Sequence, residues 1–172
     1  MSKYLALLRG INVGGKSIIK MADLRVKFEE MGFSDVATYI QSGNVVFGAK
    51  GTTASLEKKI EKEFATVVVL NKKEMKAVMD GVPKDFGKEP EKYRYDVIFL
   101  KRPLTMKAAM KEISAKEGVD DVWPGKGVIY FRRLISKASS SYLSKVVQKP
   151  AYKKMTIRNW NTTRKMWEMM EG

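Results

Sequence analysis

Val36-Ala37-Thr38-Tyr39-Ile40-Gln41-Ser42-Gly43-Asn44-Val45-Val46-Phe47 reads as two short strands about a polar turn. β-Branched and aromatic residues on both sides suit a pleated surface, and Gln41-Ser42-Gly43-Asn44 has the residues of a tight turn. What flanks this hairpin decides the fold. Upstream, Met21, Leu24, Phe28 and Met31 recur at helical spacing, with Gly32 as a natural stop. Before that helix, residues 3–9 form a strand candidate with a continuous apolar middle. Downstream, a helix from about Thr53 carries Leu56, Ile60 and Phe64 on one face, and the β-branched run Thr66–Leu70 reads as a strand. Residues 3–70 therefore follow the order βαββαβ, the split βαβ or ferredoxin-like arrangement. Asn71, with Glu74 three residues on, predicts a capping box on a trailing helix over about 72–80.

The order then repeats. Arg94–Leu100 is a strand, and Thr105 can cap a helix bearing Met106, Ala109, Met110 and Ile113. Val119–Trp123 and Val128–Phe131 are strands around Pro124-Gly125-Lys126-Gly127. Ser139–Ser141 can cap a helix with Leu143, Val146 and Val147. Lys154–Arg158 is a strand, and Asn161 or Thr162 can cap a last helix with Met166, Trp167 and Met170 on one face. The expected fold is α+β, with two tandem ferredoxin-like halves, each with a trailing helix. Residues 1–82 form the first half, 83–90 a linker rich in glycine and proline, and 91–172 the second half.

Between the first strand and the first helix lies Arg9-Gly10-Ile11-Asn12-Val13-Gly14-Gly15-Lys16-Ser17. Residues 10–17 satisfy the phosphate-loop pattern, in which glycines admit backbone N–H groups to phosphate oxygens and the lysine neutralises charge. A phosphate-loop enzyme also needs an acid at a second strand end to hold magnesium. The apolar strands end in Arg9, Phe47, Leu70, Leu100 and Arg133, none acidic. The following hairpin also replaces the parallel crossover of that fold. Three readings stay open: a true phosphate loop, a glycine-rich anion or substrate loop, or a tight loop whose glycines only permit positive φ.

The composition excludes several chemistries. The chain has 172 residues, no cysteine and no histidine. Disulfides, thiolate zinc sites, Ser-His-Asp triads and Cys-His pairs are absent, so a general base would be a carboxylate, a shifted lysine or a tyrosine. No metal and no cofactor is expected. The lack of cysteine, of a signal-like amino terminus and of a membrane-length apolar run leads to a cytoplasmic expectation. Net charge is +14, and residues 122–167 hold eleven basic side chains and no acid. Such a basic half suits nucleic-acid phosphates, with Arg132, Lys145, Lys149 and Arg158 as candidate contacts, or is simply a solvated basic face.

Three stretches carry a family resemblance: Leu7-Leu8-Arg9-Gly10-Ile11-Asn12-Val13-Gly14-Gly15-Lys16, Thr38 to Phe47, and Thr156-Ile157-Arg158-Asn159-Trp160-Asn161-Thr162. With them the chain resembles a bacterial family called domain of unknown function 1697. The resemblance implies an α+β protein of uncharacterised activity and supplies no catalytic residues.

In a split βαβ unit the first and third strands are central neighbours, so the glycine loop and the 41–44 turn fall at one end of the sheet. Arg9, Asn12, Gly14, Gly15, Lys16, Gln41, Ser42 and Asn44 are the candidate ligand residues. They include no carboxylate, a set that binds anions better than it catalyses. The expected function is binding of an anion or phosphate ligand, with nucleotides and nucleic acid among the ligands. The alternative is a small enzyme acting on a phosphorylated or carboxylated metabolite at the glycine loop. No residue set assigns a catalytic role, no membrane partner is expected, and oligomeric state is left unassigned. Arg158–Thr162 is a third candidate loop, weighed against plain capping by Asn161 with Trp160 packed inward.

Overall fold

The computed structural model describes residues 1–12 and 18–172. It is a mixed α+β protein with two four-stranded antiparallel sheets. The chain divides into two compact units, Met1–Lys76 with Lys165–Gly172, and Ala77–Arg164.

In the first unit, β1 (Ser2–Leu8), β2 (Ser34–Tyr39), β3 (Asn44–Ala49) and β4 (Val67–Asn71) order as β2-β3-β1-β4. Central β1 pairs with β3 through Leu7↔Asn44 and with β4 through Leu8↔Val67. Its apolar run is continuous because both faces are buried. Tyr4, Ala6 and Leu8 join Val45, Phe47, Val67 and Val69 under α1 (Met21–Glu30) and α2 (Thr53–Ile60), which contribute Leu24, Phe28, Leu56 and Ile60. Leu5, Leu7, Val46 and Val68 are buried on the opposite face. Local signals set the helix ends. Gly32 leaves α1 at φ +84. Thr52 and Ser55 cap α2 reciprocally. The backbone N–H of Asn71 donates to Glu74 Oε2 at 2.9 Å, and that of Glu74 to Asn71 Oδ1 at 2.8 Å, the expected box at the start of α3 (Lys72–Asp80).

In the second unit, β5 (Tyr93–Leu100), β6 (Asp120–Pro124), β7 (Val128–Leu134) and β8 (Met155–Asn159) order as β6-β7-β5-β8. Thr105 caps α4 (Met106–Glu112) as its position predicts, accepting from Ala108 N–H at 3.2 Å. The helix expected after Ser139–Ser141 shrinks to one turn, α5 (Leu143–Val146), between 3-10 segments. Ser141 starts that turn as expected, its Oγ accepting from Leu143 N–H at 3.2 Å while donating to Asp120 Oδ1 at 2.6 Å. Val147, expected on the packed face, is exposed. The last helix, α6 (Trp160–Glu171), starts before Asn161, because the cap is Asn159, whose Oδ1 accepts from Asn161 N–H at 2.9 Å.

Residues 83–90, expected as a linker, belong to the second unit. Phe86 is buried there edge-on to Tyr95, Trp123, Tyr130 and Trp160. Gly87, at φ +85, gives way to the Trp160 indole: a Cβ there would lie 2.5 Å from Nε1. Glycine and proline signal a bend in the backbone, and here the bend seats a ring.

The central strands leave their sheets by one backbone scheme. Leu8 N–H donates to Gly43 O at 2.9 Å, and Arg9 N–H to Thr66 O at 2.9 Å. In the second unit Leu100 N–H donates to Gly127 O at 3.1 Å, and Lys101 N–H to Lys154 O at 2.8 Å. Gly43 and Gly127 both sit at φ +73.

Candidate functional site

At the exit of β1 the chain turns through Gly10 at φ +75 and Asn12 at φ +56. Asparagine tolerates this left-handed backbone better than most residues. The Asn12 side chain then does most of the bonding at this point. Its Nδ2 donates to Ile19 O and to Gln41 O, both at 3.0 Å, and its Oδ1 accepts from Ile19 N–H at 2.7 Å. One amide thus closes the neck of the glycine loop and fastens it to the β2–β3 turn. Gly14, Gly15, Lys16 and the expected concavity of loop amides lie outside the described residues. Helix α1 begins only at Met21, with Lys20 as its cap residue, so residues 18–20 separate the glycine loop from the helix. A phosphate loop runs straight into its helix, and the sheet here is wholly antiparallel.

The turn supplies the other side of this corner. Ile40 sits at φ +46 and is 50% exposed. A β-branched side chain in left-handed backbone costs on the order of 1–3 kcal/mol, and such strain concentrates at functional sites. Gly43 is required twice, by its φ and by its neighbours: a Cβ would meet Leu8 Cβ at 2.9 Å and Ile11 Cβ at 3.3 Å. Asn44 is fully buried and ties the turn internally, with Nδ2 donating to Tyr39 O at 3.0 Å and Ser42 Oγ at 2.7 Å. Gln41 contributes its carbonyl to Asn12 and leaves its side chain in solvent. Arg9 is partly buried where β1 ends. The turn and the strand exit therefore meet, and Asn12, Ser42 and Asn44 build the corner, with Arg9 at the strand end and the Gln41 side chain exposed beside it. Residues 9–20 and 40–44 include no acid.

The four basic candidates of the second unit fall on two sides of its sheet. Register puts Arg132 and Arg158 on the face that carries Tyr130 and Val97. Lys145 lies in α5, whose Leu143 and Val146 pack on the opposite face with Ile98, Ile129 and Phe131, and Lys149 follows that helix. Arg158 is nearly enclosed, donating to Thr156 Oγ1 at 2.7 Å and Ile157 O at 2.9 Å, and burial pushes its guanidinium down to about 10. Arg132 donates to Asp121 Oδ2 at 2.6 and 2.9 Å and lies 4.1 Å from the Tyr93 ring centroid. Lys145 sits over the Tyr142 ring, and Lys149 is 4.0 Å from Glu112 Oε2.

Beside the first turn of α6 the second unit has a cleft of about 300 Å³, lined in part by Arg94, Arg133, Asn159, Trp160 and Asn161. The last three come from the third candidate loop, and Trp160 is buried as the packing reading expects. The two arginines escape sequence reading, because only strand register brings them together. Among the described residues no group of three or more acidic side chains could hold a metal ion. No helix there is long and apolar enough to cross a membrane.

Known proteins with this architecture include a conserved bacterial protein, SP0830 from Streptococcus pneumoniae. Its solved structure matches with a TM-score of 0.86 at 27% identity, over 98% of this chain and 98% of that one. No curated protein matches the sequence. The family model described as a protein of unknown function, DUF1697, matches residues 1–130, well over half of the chain, and the chain belongs to that family.

Proposed function

We propose that the protein binds a small anionic ligand, most simply a phosphate group, at the exit of β1. One observation carries this reading: a glycine-rich loop is closed at its neck by Asn12, beside Arg9, between segments that carry no acid of their own. A tied neck holds a loop ready for a ligand and lowers the ordering cost of binding. Residues 9–20 and 40–44 supply no carboxylate of their own, which favours binding over general-base chemistry. Phosphorylated metabolites and nucleotides fit this site better than nucleic acid does, because the basic side chains of the second unit divide between two sides of a sheet.

The reading includes the architecture. The strand orders, antiparallel throughout, support two ferredoxin-like halves, and the paired strand-exit bonds support an internal duplication. A cysteine-free chain with no membrane-length helix among its described residues suits the cytoplasm.

The test is amide NMR and thermal melting with inorganic phosphate and a panel of phosphorylated sugars and nucleotides. At least one compound moves the Asn12, Ile19 and Gln41 amides saturably and raises Tm. Lys16→Ala weakens that binding about tenfold and shifts stability by less than about 0.5 kcal/mol. If no compound moves those amides, or if Lys16→Ala and Arg9→Ala both bind normally, the proposal is wrong.

A further inference from the structure

Arg94 on β5 and Arg133 on β7 are directly opposite in register. Like charges facing each other across a sheet destabilise it, and strands ordinarily avoid the pairing. Here solvent screens the exposed Arg94, and Asp96 and Asp120 offset part of the charge without an ion pair to either guanidinium. Among the described residues neither guanidinium makes an ion pair or a side-chain hydrogen bond, and Arg133 Nε is buried without a partner. Asp120 is opposite Arg133 on the other side, but it is already occupied, accepting from Ser141 Oγ and from Lys116 and Tyr142 N–H. Asp96, two residues from Arg94 on the same face, forms no ion pair with either arginine, and its Oδ2 is buried and unpartnered. A buried N–H without an acceptor costs roughly 1–3 kcal/mol, which a ligand oxygen at Arg133 Nε would recover.

The surroundings are shaped for one. Both arginines line the cleft, and no carboxylate does. Asn159 is in its wall with Oδ1 held by Asn161 N–H, which leaves the Nδ2 hydrogens to donate elsewhere. The amino-terminal turn of α6 borders the same space and adds the positive end of a twelve-residue helix. Trp160 is in the same wall, while the Tyr93 and Tyr95 rings lie by register on the other face of β5 from the arginines. Two guanidiniums, an amide donor and a helix start together suit a doubly charged anion better than a single carboxylate.

We propose that this cleft is a second ligand site, separate from the glycine loop, that binds a small phosphate monoester with a flat apolar body between Arg94, Arg133 and the start of α6. Arg94 and Arg133 clamp the phosphate, Asn159 donates a further hydrogen bond, and the body lies against Trp160.

The experiment titrates phenyl phosphate, inorganic phosphate and benzoate into the labelled protein and follows the Trp160 indole N–H and the Asn159 side-chain amide. Phenyl phosphate shifts both saturably and binds about tenfold tighter than benzoate. Arg94→Ala and Arg133→Ala each weaken it about tenfold, the loss expected for one charge-assisted hydrogen bond. Absence of saturable shifts, or unchanged affinity in both arginine variants, overturns the site. Equal affinity for benzoate overturns the phosphate assignment. Shifts at Asn12, Ile19 and Gln41 report the glycine loop instead, so either site can fail without the other.

Discussion

The exits of β1 and β5 use the same backbone bonds and are finished differently. After β1 the chain takes residues 9–20 to reach its helix, and after β5 only residues 101–105. Gly43 is pressed against Leu8 and Ile11, whereas nothing lies within 4 Å of a Cβ built on Gly127. A shared strand order fixes where a ligand loop can emerge. Side-chain packing around that exit decides whether one does. In the second unit the exit is short, and the polar groups gather at the beginning of the central strand, around Arg94 and Asp96.

The hardest blow to this contrast is delivered at the paired glycines. Gly43→Ala combines strained backbone with overpacking and should cost about 2–5 kcal/mol. Gly127→Ala meets only the backbone penalty, about 1–2 kcal/mol. Urea unfolding of both variants measures the difference, and equal losses would mean that the two corners are packed alike. A smaller effect is expected at Asn12. Asn12→Ala removes three hydrogen bonds and should cost about 1–3 kcal/mol, with faster hydrogen exchange at Ile19 N–H. Unchanged exchange there would mean that the neck is held by something else.

The subtlest effect concerns Asp96. Burial raises its carboxyl above the ordinary value of 3.8, with Arg133 and then Arg94 pulling it back. A raised carboxyl means that the folded state holds the proton more tightly than the unfolded chain, so ionising it costs stability. Wild-type stability should therefore fall relative to Asp96→Asn as pH climbs through and above about 3.8, with the two converging below it. Parallel curves from pH 3 to 7 would show that Asp96 ionises as freely as a solvated carboxylate.

Much of the framework was legible because its signals are local. Gly32 ends a helix, Thr105 caps one, and Asn71 with Glu74 forms a box, all within a few residues of one another. The meeting of the 41–44 turn with the β1 exit followed from strand order alone. Other features depend on distant partners. Ser141 caps only a single turn, and its hydroxyl also donates to Asp120, far back in sequence. Asn12 and Asn44 looked like ligand groups, and their amides are engaged with backbone carbonyls. Arg94 and Arg133 are unremarkable as letters and become a charged pair only when β5 and β7 align. Phe86 sat in a stretch read as linker, because a bend rich in glycine and proline does not disclose which ring it buries.

The Asn12 clasp has one more consequence. Pairing of β1 with its neighbours ends at Arg9, α1 begins at Met21, and a single side chain joins the two edges of the gap. The clasp therefore brackets positions 12 and 19 independently of the sheet ladder and the helix. Relatives could diverge between them in length and composition, and an engineer could graft a foreign loop, without disturbing the sheet that presents it.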